Sequence, residues 1–226
     1  MKTKTNARTG PTRDERRQSL IDAARALFAE KGYHDTTVDD ITRTANVAKG
    51  TFYLYFSEKR EIYHEVIRLF LDMIRAAGVR VESPTASPIE FVEQTRTNAR
   101  NLLRCLTENR DLTRMAYGEA AGLDPRLVEL WREFRRETAE VEARNLELAM
   151  QLGVIRPCHP LLQAYVHIGM VERVMLELIE HPQDFPPPEE LVDEILRIGY
   201  EGIRGRNGPL WAVMFPDAPG DPWPAP

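Results

Sequence analysis

The sequence has few cysteines and no long apolar run. Cys105 and Cys158 are the only cysteines among 226 residues, and they lie far apart. A disulfide framework or a paired-cysteine metal motif is therefore not expected, which favours a reducing cytoplasm. No apolar stretch approaches the ~20 residues of a membrane helix. The basic start, MKTKTNARTGPTR, has no apolar stretch behind it and does not resemble a secretory signal. We expect a cytoplasmic protein with no membrane partner.

Signatures of enzymes are also missing. The chain contains no HExxH, GxSxG, P-loop or GxGxxG motif. Glu61 and His64 form one ExxH pair, but the di-iron sites of helical bundles need two such pairs and two further glutamates. Glu177 and His181 are also four residues apart, yet no third ligand is evident. We therefore expect no catalytic residue, no cofactor and no metal site.

Charge is distributed unevenly along the chain. The formal net charge is −5, which by itself disfavours binding to nucleic acid. Residues 1–60, however, carry 12 Lys and Arg against 8 Asp and Glu, a net of +4, while the remainder carries 18 against 27, a net of −9. This asymmetry indicates a small basic module attached to an acidic body.

Helical periodicity covers most of the chain, and no alternating strand pattern stands out. Capping boxes are predicted at Thr12 with Glu15 and at Ser87 with Glu90, and Thr37 and Ser57 are further candidate caps. Gly32 predicts a left-handed stop for the first helix. The spacing predicts nine helices, at residues 13–31, 38–45, 48–55, 58–77, 88–108, 110–121, 125–152, 160–180 and 188–204.

The stretch VAKGTFYLYFSEK, residues 47–59, concentrates aromatic residues in the basic module. Two short helices separated by only a few residues must pack at a steep angle, which is the geometry of a helix-turn-helix whose second helix enters the major groove. Phe52 and Phe56 are four residues apart and share a helical face with Val47 and Ile41, so we interpret them as core. Tyr53 and Tyr55 fall on other faces. Stacking on bases is disfavoured, because duplex DNA offers no unstacked base.

These segments resemble the tetracycline-repressor (TetR) family of bacterial transcription regulators. The resemblance is dense over residues 14–67 and rests on FAEKGY, residues 28–33, on TTV, residues 36–38, and on KGTFYLYF, residues 49–56, followed by Lys59. It implies an all-α fold, with an N-terminal three-helix bundle that contains the helix-turn-helix. A long fourth helix would join this bundle to a larger helical-bundle domain for regulation and dimerisation.

The resemblance also implies a set of DNA-binding residues. Lys49, Gly50 and Thr51 would face base edges, although Lys49 could instead neutralise a phosphate. Tyr53 and Tyr55 would donate to phosphate oxygens, which positions the protein without specifying sequence. Thr37 and Lys59 lie at helix N-termini and match family positions that bind phosphate. The expected interface comprises Thr37, Lys49, Gly50, Thr51, Tyr53, Tyr55 and Lys59. Thr37 could also serve only as a helix cap, and both roles are compatible.

Two residues depart from the family pattern in the turn. Asn46 stands where glycine is usual, and asparagine tolerates the left-handed conformation better than most residues. Ala48 replaces the usual serine cap of the recognition helix, a loss of ~1 kcal/mol that would leave this helix less ordered without DNA.

The body is expected to dimerise and to hold an effector. Residues 161–179 are apolar nearly all round, which favours burial on more than one side. A homodimer through the last two helices is therefore predicted, although a monomeric bundle with a thick core is the alternative. The predicted dimer contacts are Leu176, Leu191, Ile195 and Gly199. Candidates to line a cavity for a mostly apolar effector are Phe70, Ile74, Phe91, Met115, Trp131, Phe134, His167 and Met170, each of which could equally be core.

The sequence thus predicts two functional domains. Residues 1–57 would bind DNA, with a basic arm at 1–12, and residues 58–226 would bind ligand and dimerise, with a Pro-rich tail at 206–226. The predicted function is a ligand-responsive transcriptional regulator, a repressor that binds palindromic operator DNA as a homodimer and is released by a small molecule. Two alternatives are a TetR-like DNA-binding protein without inducer, with a structural or division role, and a helical-bundle metalloenzyme.

Overall fold

Most of the residues that the structure describes are in helices. The computed structural model describes residues 11–78, 87–117 and 124–201, which contain α-helices, one short 3-10 turn at Pro182–Asp184 and no strand. The predicted all-α fold is therefore confirmed. The helices are α1 (Arg13–Asp35), α2 (Val38–Thr44), α3 (Lys49–Tyr53), α4 (Lys59–Ala77), α5 (Pro88–Glu108), α6 (Arg110–Tyr117), α7 (Pro125–Gln151), α8 (Pro160–Glu180) and α9 (Pro188–Glu201).

The helix starts follow the capping residues in the sequence. The Glu15 backbone N–H donates to Thr12 Oγ1 at 3.2 Å, and the Thr12 N–H donates to the Glu15 carboxylate at 2.6 Å. Ser87 and Glu90 form the same reciprocal pair at the start of α5. Both predicted capping boxes are confirmed, because this pairing satisfies backbone donors that the first turn leaves free.

The first helix breaks where the glycine predicts. Gly32 has φ +81° and ψ 167°, so the regular helix stops there and one further turn continues to Asp35. Thr36 closes this segment: its buried hydroxyl donates to the Gly32 carbonyl at 2.8 Å. A residue with a side chain would be strained at this φ.

Two compact units divide the chain. The first contains the residues up to Met73 together with Asn109–Arg132, and the second contains Ile74–Glu108 and the residues from Glu133 onwards. Helices α4 and α7 each contribute residues to both units. This division by packing differs from the functional boundary predicted at residue 57, which stays a prediction about roles.

The first unit joins the N-terminal helices to α6 and to the start of α7. Tyr63 on α4 is buried, packs edge-on against Phe28 at 5.2 Å between ring centroids, and donates its hydroxyl to the Met115 carbonyl at 3.1 Å. Burial raises the pKa of Tyr63 to about 12. Arg25 on α1 reaches α6, where its Nε lies 3.1 Å from Asp111. Helix α6 is therefore fastened to α1 and α4 within this unit.

The second unit has its own apolar core and its own salt bridges between helices. Arg96 on α5 pairs with Asp193 on α9 at 3.1 Å, and Arg135 on α7 pairs with Glu172 on α8 at 2.9 Å. The core cluster contains Phe91, Ala139, Ala143, Leu146, Ala149, Ile155 and Ala164. The small alanines let α7 approach its neighbours closely.

Several predicted features lie outside the described residues. These are most of the basic arm, the Pro-rich tail and the predicted helix ends at 118–121 and 202–204. Among the helices that are described, none combines the length and apolar character needed to cross a membrane.

Candidate nucleic-acid interface

Helices α2 and α3 form a helix-turn-helix. The turn between them contains Asn46 at φ +53°, the left-handed conformation predicted for this position. The Val47 N–H donates to the Thr42 carbonyl at 3.0 Å, and Ser19 Oγ on α1 donates to the Ala45 carbonyl at 3.1 Å. These bonds hold the turn against α1 and fix the angle at which α3 leaves it.

Apolar side chains on one face of this motif form its core. Ile41 and Phe52 are both 0% exposed, Phe56 is also buried, and the rings of Phe52 and Phe56 lie 5.7 Å apart. The interpretation of the two phenylalanines as core is confirmed. Their burial orients α3, because residues on its other faces must then point outward.

The outward side of α3 carries the residues expected to read DNA. Lys49 and Gly50 are exposed, Thr51 is half-buried and Tyr53 is 52% exposed, with its ring edge-on to Phe52. A β-carbon on Gly50 would meet no atom of the chain within 4 Å. The protein's own packing therefore does not require a glycine here. Close approach of DNA to the α3 backbone would require one.

The start of α2 is organised around one carboxylate. Asp40 accepts from Lys31 Nζ at 2.6 Å, from Thr37 Oγ1 at 2.8 Å and from the Thr37 N–H at 3.1 Å. These hydrogen bonds hold the pKa of the Asp40 carboxyl well below its usual range. Because the Asp40 N–H donates back to Thr37 Oγ1, the predicted capping role of Thr37 is confirmed. Contact between Thr37 and a phosphate stays a prediction.

Lys49 has a partner that the sequence analysis missed. Its Nζ lies 2.8 Å from Asp39 Oδ1 on α2, and both side chains are more than half exposed. The Asp39 hydrogen bond and charge raise the pKa of Lys49. The two residues are ten positions apart on different helices, and no sequence pattern predicts a salt bridge at that spacing.

Two of the expected DNA-binding side chains, Lys59 and Tyr55, form hydrogen bonds within the protein. Lys59 Nζ donates to the carbonyls of Tyr33 and Thr36, both at 2.6 Å, and of His34 at 3.2 Å. Three hydrogen bonds exhaust the donors of an ammonium group, and burial lowers the pKa of Lys59. The Tyr55 hydroxyl likewise donates to the Arg13 carbonyl at 2.9 Å. Both side chains therefore stabilise the packing around α1, and their contact with phosphate stays a prediction.

The recognition helix starts without a side-chain cap. Ala48 occupies the N-cap position with extended backbone, φ −68° and ψ 147°, and no side-chain hydrogen bond caps the helix. This matches the departure noted in the sequence. Helix α3 is also only five residues long, so its order depends on Phe52 packing more than on its own hydrogen bonds.

The predicted effector-lining residues are divided between the two compact units. Phe70, Met115 and Trp131 belong to the first unit, and the other five belong to the second. Phe70, Ile74, Phe91, Trp131 and Phe134 are buried core residues, whereas Met115 and Met170 are half-buried. Their role toward an effector stays a prediction.

His167 lies in a polar cluster within the second unit. Its Nδ1 is 2.8 Å from Glu142 Oε1 on α7, and its Nε2 is 2.8 Å from the Gly199 carbonyl on α9. Burial opposes a charge on the ring, but the Glu142 carboxylate and the Gly199 carbonyl together raise the pKa of His167. The Gln163 side-chain amide nitrogen also lies 3.0 Å from Nε2 and donates to the same Gly199 carbonyl at 3.3 Å. A β-carbon on Gly199 would come within 3.1 Å of Nε2, so the glycine permits this approach.

The predicted dimer contacts have unequal exposure in the single chain. Leu191 is buried within the second unit, while Leu176, Ile195 and Gly199 are half-buried. Leu191 is therefore a core residue of its own chain. More exposed apolar side chains occur at the start of α8, a surface that we call the α8 patch: Leu161, Leu162, Tyr165 and Val166.

The pairs considered as metal ligands have other partners. His64 Nε2 lies 2.7 Å from Asp124 Oδ2, and Asp124 also accepts from the Arg126 N–H at the start of α7. Glu61 accepts from the Ser57 N–H at 2.5 Å. Within the described residues, no three His, Cys, Asp or Glu side chains are grouped so as to hold a metal ion.

The known proteins that this chain resembles are transcriptional regulators. Residues 20–66 match the family model for bacterial regulatory proteins of the tetR family. The chain is 27% identical over 177 residues to YhgD of Bacillus subtilis, an uncharacterized HTH-type transcriptional regulator. That alignment covers 76% of this chain and 87% of YhgD.

Solved structures share the fold over most of the chain. A candidate fatty acid metabolism regulator of Clostridium perfringens is 30% identical, with a TM-score of 0.67, over 83% of this chain and 100% of that one. The TetR-family repressor FadR of Thermus thermophilus, solved in complex with lauroyl-CoA, is 23% identical with a TM-score of 0.60. It aligns over 85% of this chain and 97% of its own.

Proposed function

Because this chain is a DNA-binding transcriptional regulator of the TetR family, we propose that it binds a palindromic operator as a homodimer, represses transcription there and is released by a small molecule. The observation that carries this proposal is the outward surface of α3. Buried Phe52 fixes the helix, and Lys49, Gly50 and Tyr53 are left facing outward. A helix held in this way can enter a major groove.

The residues on this surface would make two kinds of contact, with base edges and with phosphates. Lys49 and Thr51 lie in the first turn of α3, where side chains reach base edges. Tyr53 would donate its hydroxyl to a phosphate oxygen, which sets the register on the duplex. Lys59 and Tyr55 would act indirectly, because their hydrogen bonds to backbone carbonyls hold α1 in place beside α2 and α3.

The dimer proposal is supported by the α8 patch. A cluster of exposed apolar side chains on one helix is typical of a protein interface. Gly169 continues the same helix, and a β-carbon on it would meet nothing of its own chain within 4 Å. Glycine inside a helix costs about 1 kcal/mol relative to alanine, so close approach of a second copy of α8 would account for its presence. Two copies would present two α3 helices to a palindrome.

The direct test of operator binding is a titration at several salt concentrations. A labelled duplex from the region upstream of the protein's own gene is titrated and followed by fluorescence anisotropy. A dimer that touches ~6–10 phosphates should lose ~10³–10⁵ in affinity between 50 and 200 mM salt. The control is a duplex of equal length and base composition in shuffled order. Equal affinity for both duplexes would contradict specific operator binding.

An effector with a long apolar chain is the first class to test. The Clostridium relative is a candidate regulator of fatty acid metabolism, and the Thermus repressor was solved with lauroyl-CoA. Lauroyl-CoA is therefore the probe, and coenzyme A without the acyl chain is its control. We expect lauroyl-CoA to lower operator affinity by ~5–150-fold, the usual range of coupling between two sites.

We propose that the release signal passes through α4 and α6. Helix α4 runs without interruption from Lys59 to Ala77 and contributes to both compact units. Helix α6 is bound to α1 through Arg25 and Asp111 and to α4 through Tyr63. Movement of either helix would shift the helix-turn-helix. If lauroyl-CoA raises the melting temperature and operator affinity stays unchanged, this coupling is wrong.

A further inference from the structure

The salt bridge between Lys49 and Asp39 places a donor and an acceptor side by side on the DNA-facing surface. Lys49 is the first residue of α3, and Asp39 is the second residue of α2. Their charged atoms are 2.8 Å apart, with 54% of the lysine side chain and 64% of the aspartate side chain exposed. The two residues come from different helices, so the fold of the motif creates this juxtaposition.

An aspartate at this position needs an explanation. A carboxylate close to DNA is repelled by the phosphates and lowers affinity for every sequence. Asp40, its neighbour, is enclosed by donors from Lys31 and Thr37 and has a structural role. Asp39 lies in the first turn of α2, where the helix dipole favours a negative charge, and its carboxylate is paired with Lys49 across the turn. Its cost to non-specific binding can be offset if it accepts a hydrogen bond from a base.

The chemistry of one base pair fits this donor and acceptor. A G·C pair presents the guanine acceptors N7 and O6 next to the cytosine N4 donor in the major groove. Guanine O6 and cytosine N4 are hydrogen-bonded to each other, which sets them ~2.9 Å apart, close to the 2.8 Å between Lys49 Nζ and Asp39 Oδ1. An A·T pair also sets a donor, adenine N6, beside an acceptor, thymine O4, at the same spacing. A methyl group takes the place of the second acceptor next to O4, and adenine N7 lies on the far side of N6, so the lysine gains one hydrogen bond instead of two and the A·T pair fits less well.

We propose that Asp39 and Lys49 together read one G·C pair in each half of the operator. Lys49 donates to guanine O6 and N7, and Asp39 accepts from cytosine N4. The salt bridge holds both side chains at the spacing of the base edge before DNA arrives, which reduces the entropy lost on binding. The inference rests on the proposed operator binding and adds to it the identity of one base pair and a second residue that selects it.

The first experiment is a selection from a randomised duplex library with four proteins. These are the wild type, Lys49→Ala, Asp39→Ala and the control Asp22→Ala, which removes the same charge from an exposed position on α1. The wild type should enrich a palindrome with a G·C pair at one symmetric position. Lys49→Ala and Asp39→Ala should both lose the preference at that same position, while Asp22→Ala should keep it.

The second experiment measures affinity for the selected duplex and for one with an A·T pair at that position in one half-site. The wild type should discriminate by ~5–150-fold, the range for a good bidentate contact. Asp39→Ala should bring the two affinities to within roughly threefold of each other and tighten binding to shuffled DNA. A melting curve for each variant confirms that it is folded.

The outcomes separate the inference from the proposed function. If the wild type enriches no sequence, operator binding itself is wrong, and the inference falls with it. If the wild type enriches a palindrome and Asp39→Ala yields the same preferences, the protein binds an operator but Asp39 does not read it. Tightening of all sequences by one common factor, with Asp22→Ala behaving like Asp39→Ala, would reduce Asp39 to a general repulsive charge.

Discussion

At the scale of single residues, exposure and direction decide which side chains can act on DNA. Lys49, Gly50 and Tyr53 face outward, whereas Lys59 and Tyr55 have their polar atoms bound to carbonyls of the same chain. Residue type alone does not separate these groups, since both contain a lysine and a tyrosine. The separation follows from where Phe52 and Phe56 are buried.

Gly50 gives a prediction in which stability and binding change in opposite directions. Gly50→Ala should keep or slightly raise the free energy of unfolding, because the site is open and alanine favours a helix by up to about 1 kcal/mol. Operator affinity should fall by roughly tenfold or more, because the methyl group would keep the DNA at a distance. Urea denaturation and anisotropy titration measure the two effects. Unchanged operator affinity would mean that no backbone approaches Gly50.

His167 gives a prediction about pH. Its pKa is raised in the folded protein, so the protonated ring stabilises the fold fully below the ordinary value of 6.5, and this contribution is lost as pH rises through the folded-state pKa. The stability difference between the wild type and His167→Gln should therefore be larger at pH 6 than at pH 9. Melting temperatures across this interval test it. An equal stability difference at both pH values would contradict the prediction.

At the scale of secondary structure, the local signals in the sequence were sufficient to place the helix starts to within one residue. The helix starts at Arg13 and Pro88 are each set by a capping residue and its partner three residues later, and Gly32 marks the break in α1. These features depend on neighbours in the chain, so a sequence pattern contains them. The pairing of α6 with α1 depends on Arg25 and Asp111, which are 86 residues apart. No local pattern specifies such a partner.

The same limit applies to the candidate site. The helix-turn-helix and its outward residues could be predicted because their spacing is short and distinctive. The inward use of Lys59 could not, because its three acceptors are carbonyls at the end of α1, 23 to 26 residues earlier. The partnership of Asp39 with Lys49 likewise depends on the angle between two helices, which a sequence fixes only through packing.

The missing cap of α3 gives a prediction at the scale of the element. Ala48 already has the extended backbone of an N-cap, so Ala48→Ser can supply the absent hydrogen bond without rearrangement. The free energy of unfolding should rise by about 1 kcal/mol, which urea denaturation can measure. Ala48→Val is the matched control, because valine cannot cap a helix. Equal stability of the serine and valine variants would show that α3 gains nothing from a cap.

At the scale of the whole molecule, the α8 patch is the surface that two copies of the chain would share. Val166 is 52% exposed in the single chain, so its replacement should leave the fold of one chain intact. In a dimer the same position would lie between subunits. The patch therefore allows association to be tested separately from folding.

Val166→Asp should abolish the dimer. A carboxylate buried at the interface costs several kcal/mol, which raises the dissociation constant by a factor on the order of 10³. Light scattering at micromolar concentration should give twice 25.9 kDa for the wild type and 25.9 kDa for the variant. Arg144→Asp, an exposed position on α7, should remain dimeric. A dimeric Val166→Asp protein would place the interface elsewhere.

The composition of the first compact unit has a consequence for engineering. Because this unit consists of two separate stretches of chain, up to Met73 and Asn109–Arg132, a DNA-binding head cannot be exchanged between relatives by joining them at residue 57. Such a chimera would pair Arg25 of one protein with a foreign residue at the position of Asp111, and Phe28 with a foreign residue at the position of Tyr63. A biosensor made from this protein therefore needs both stretches transplanted together, or a donor body chosen to supply a carboxylate opposite Arg25.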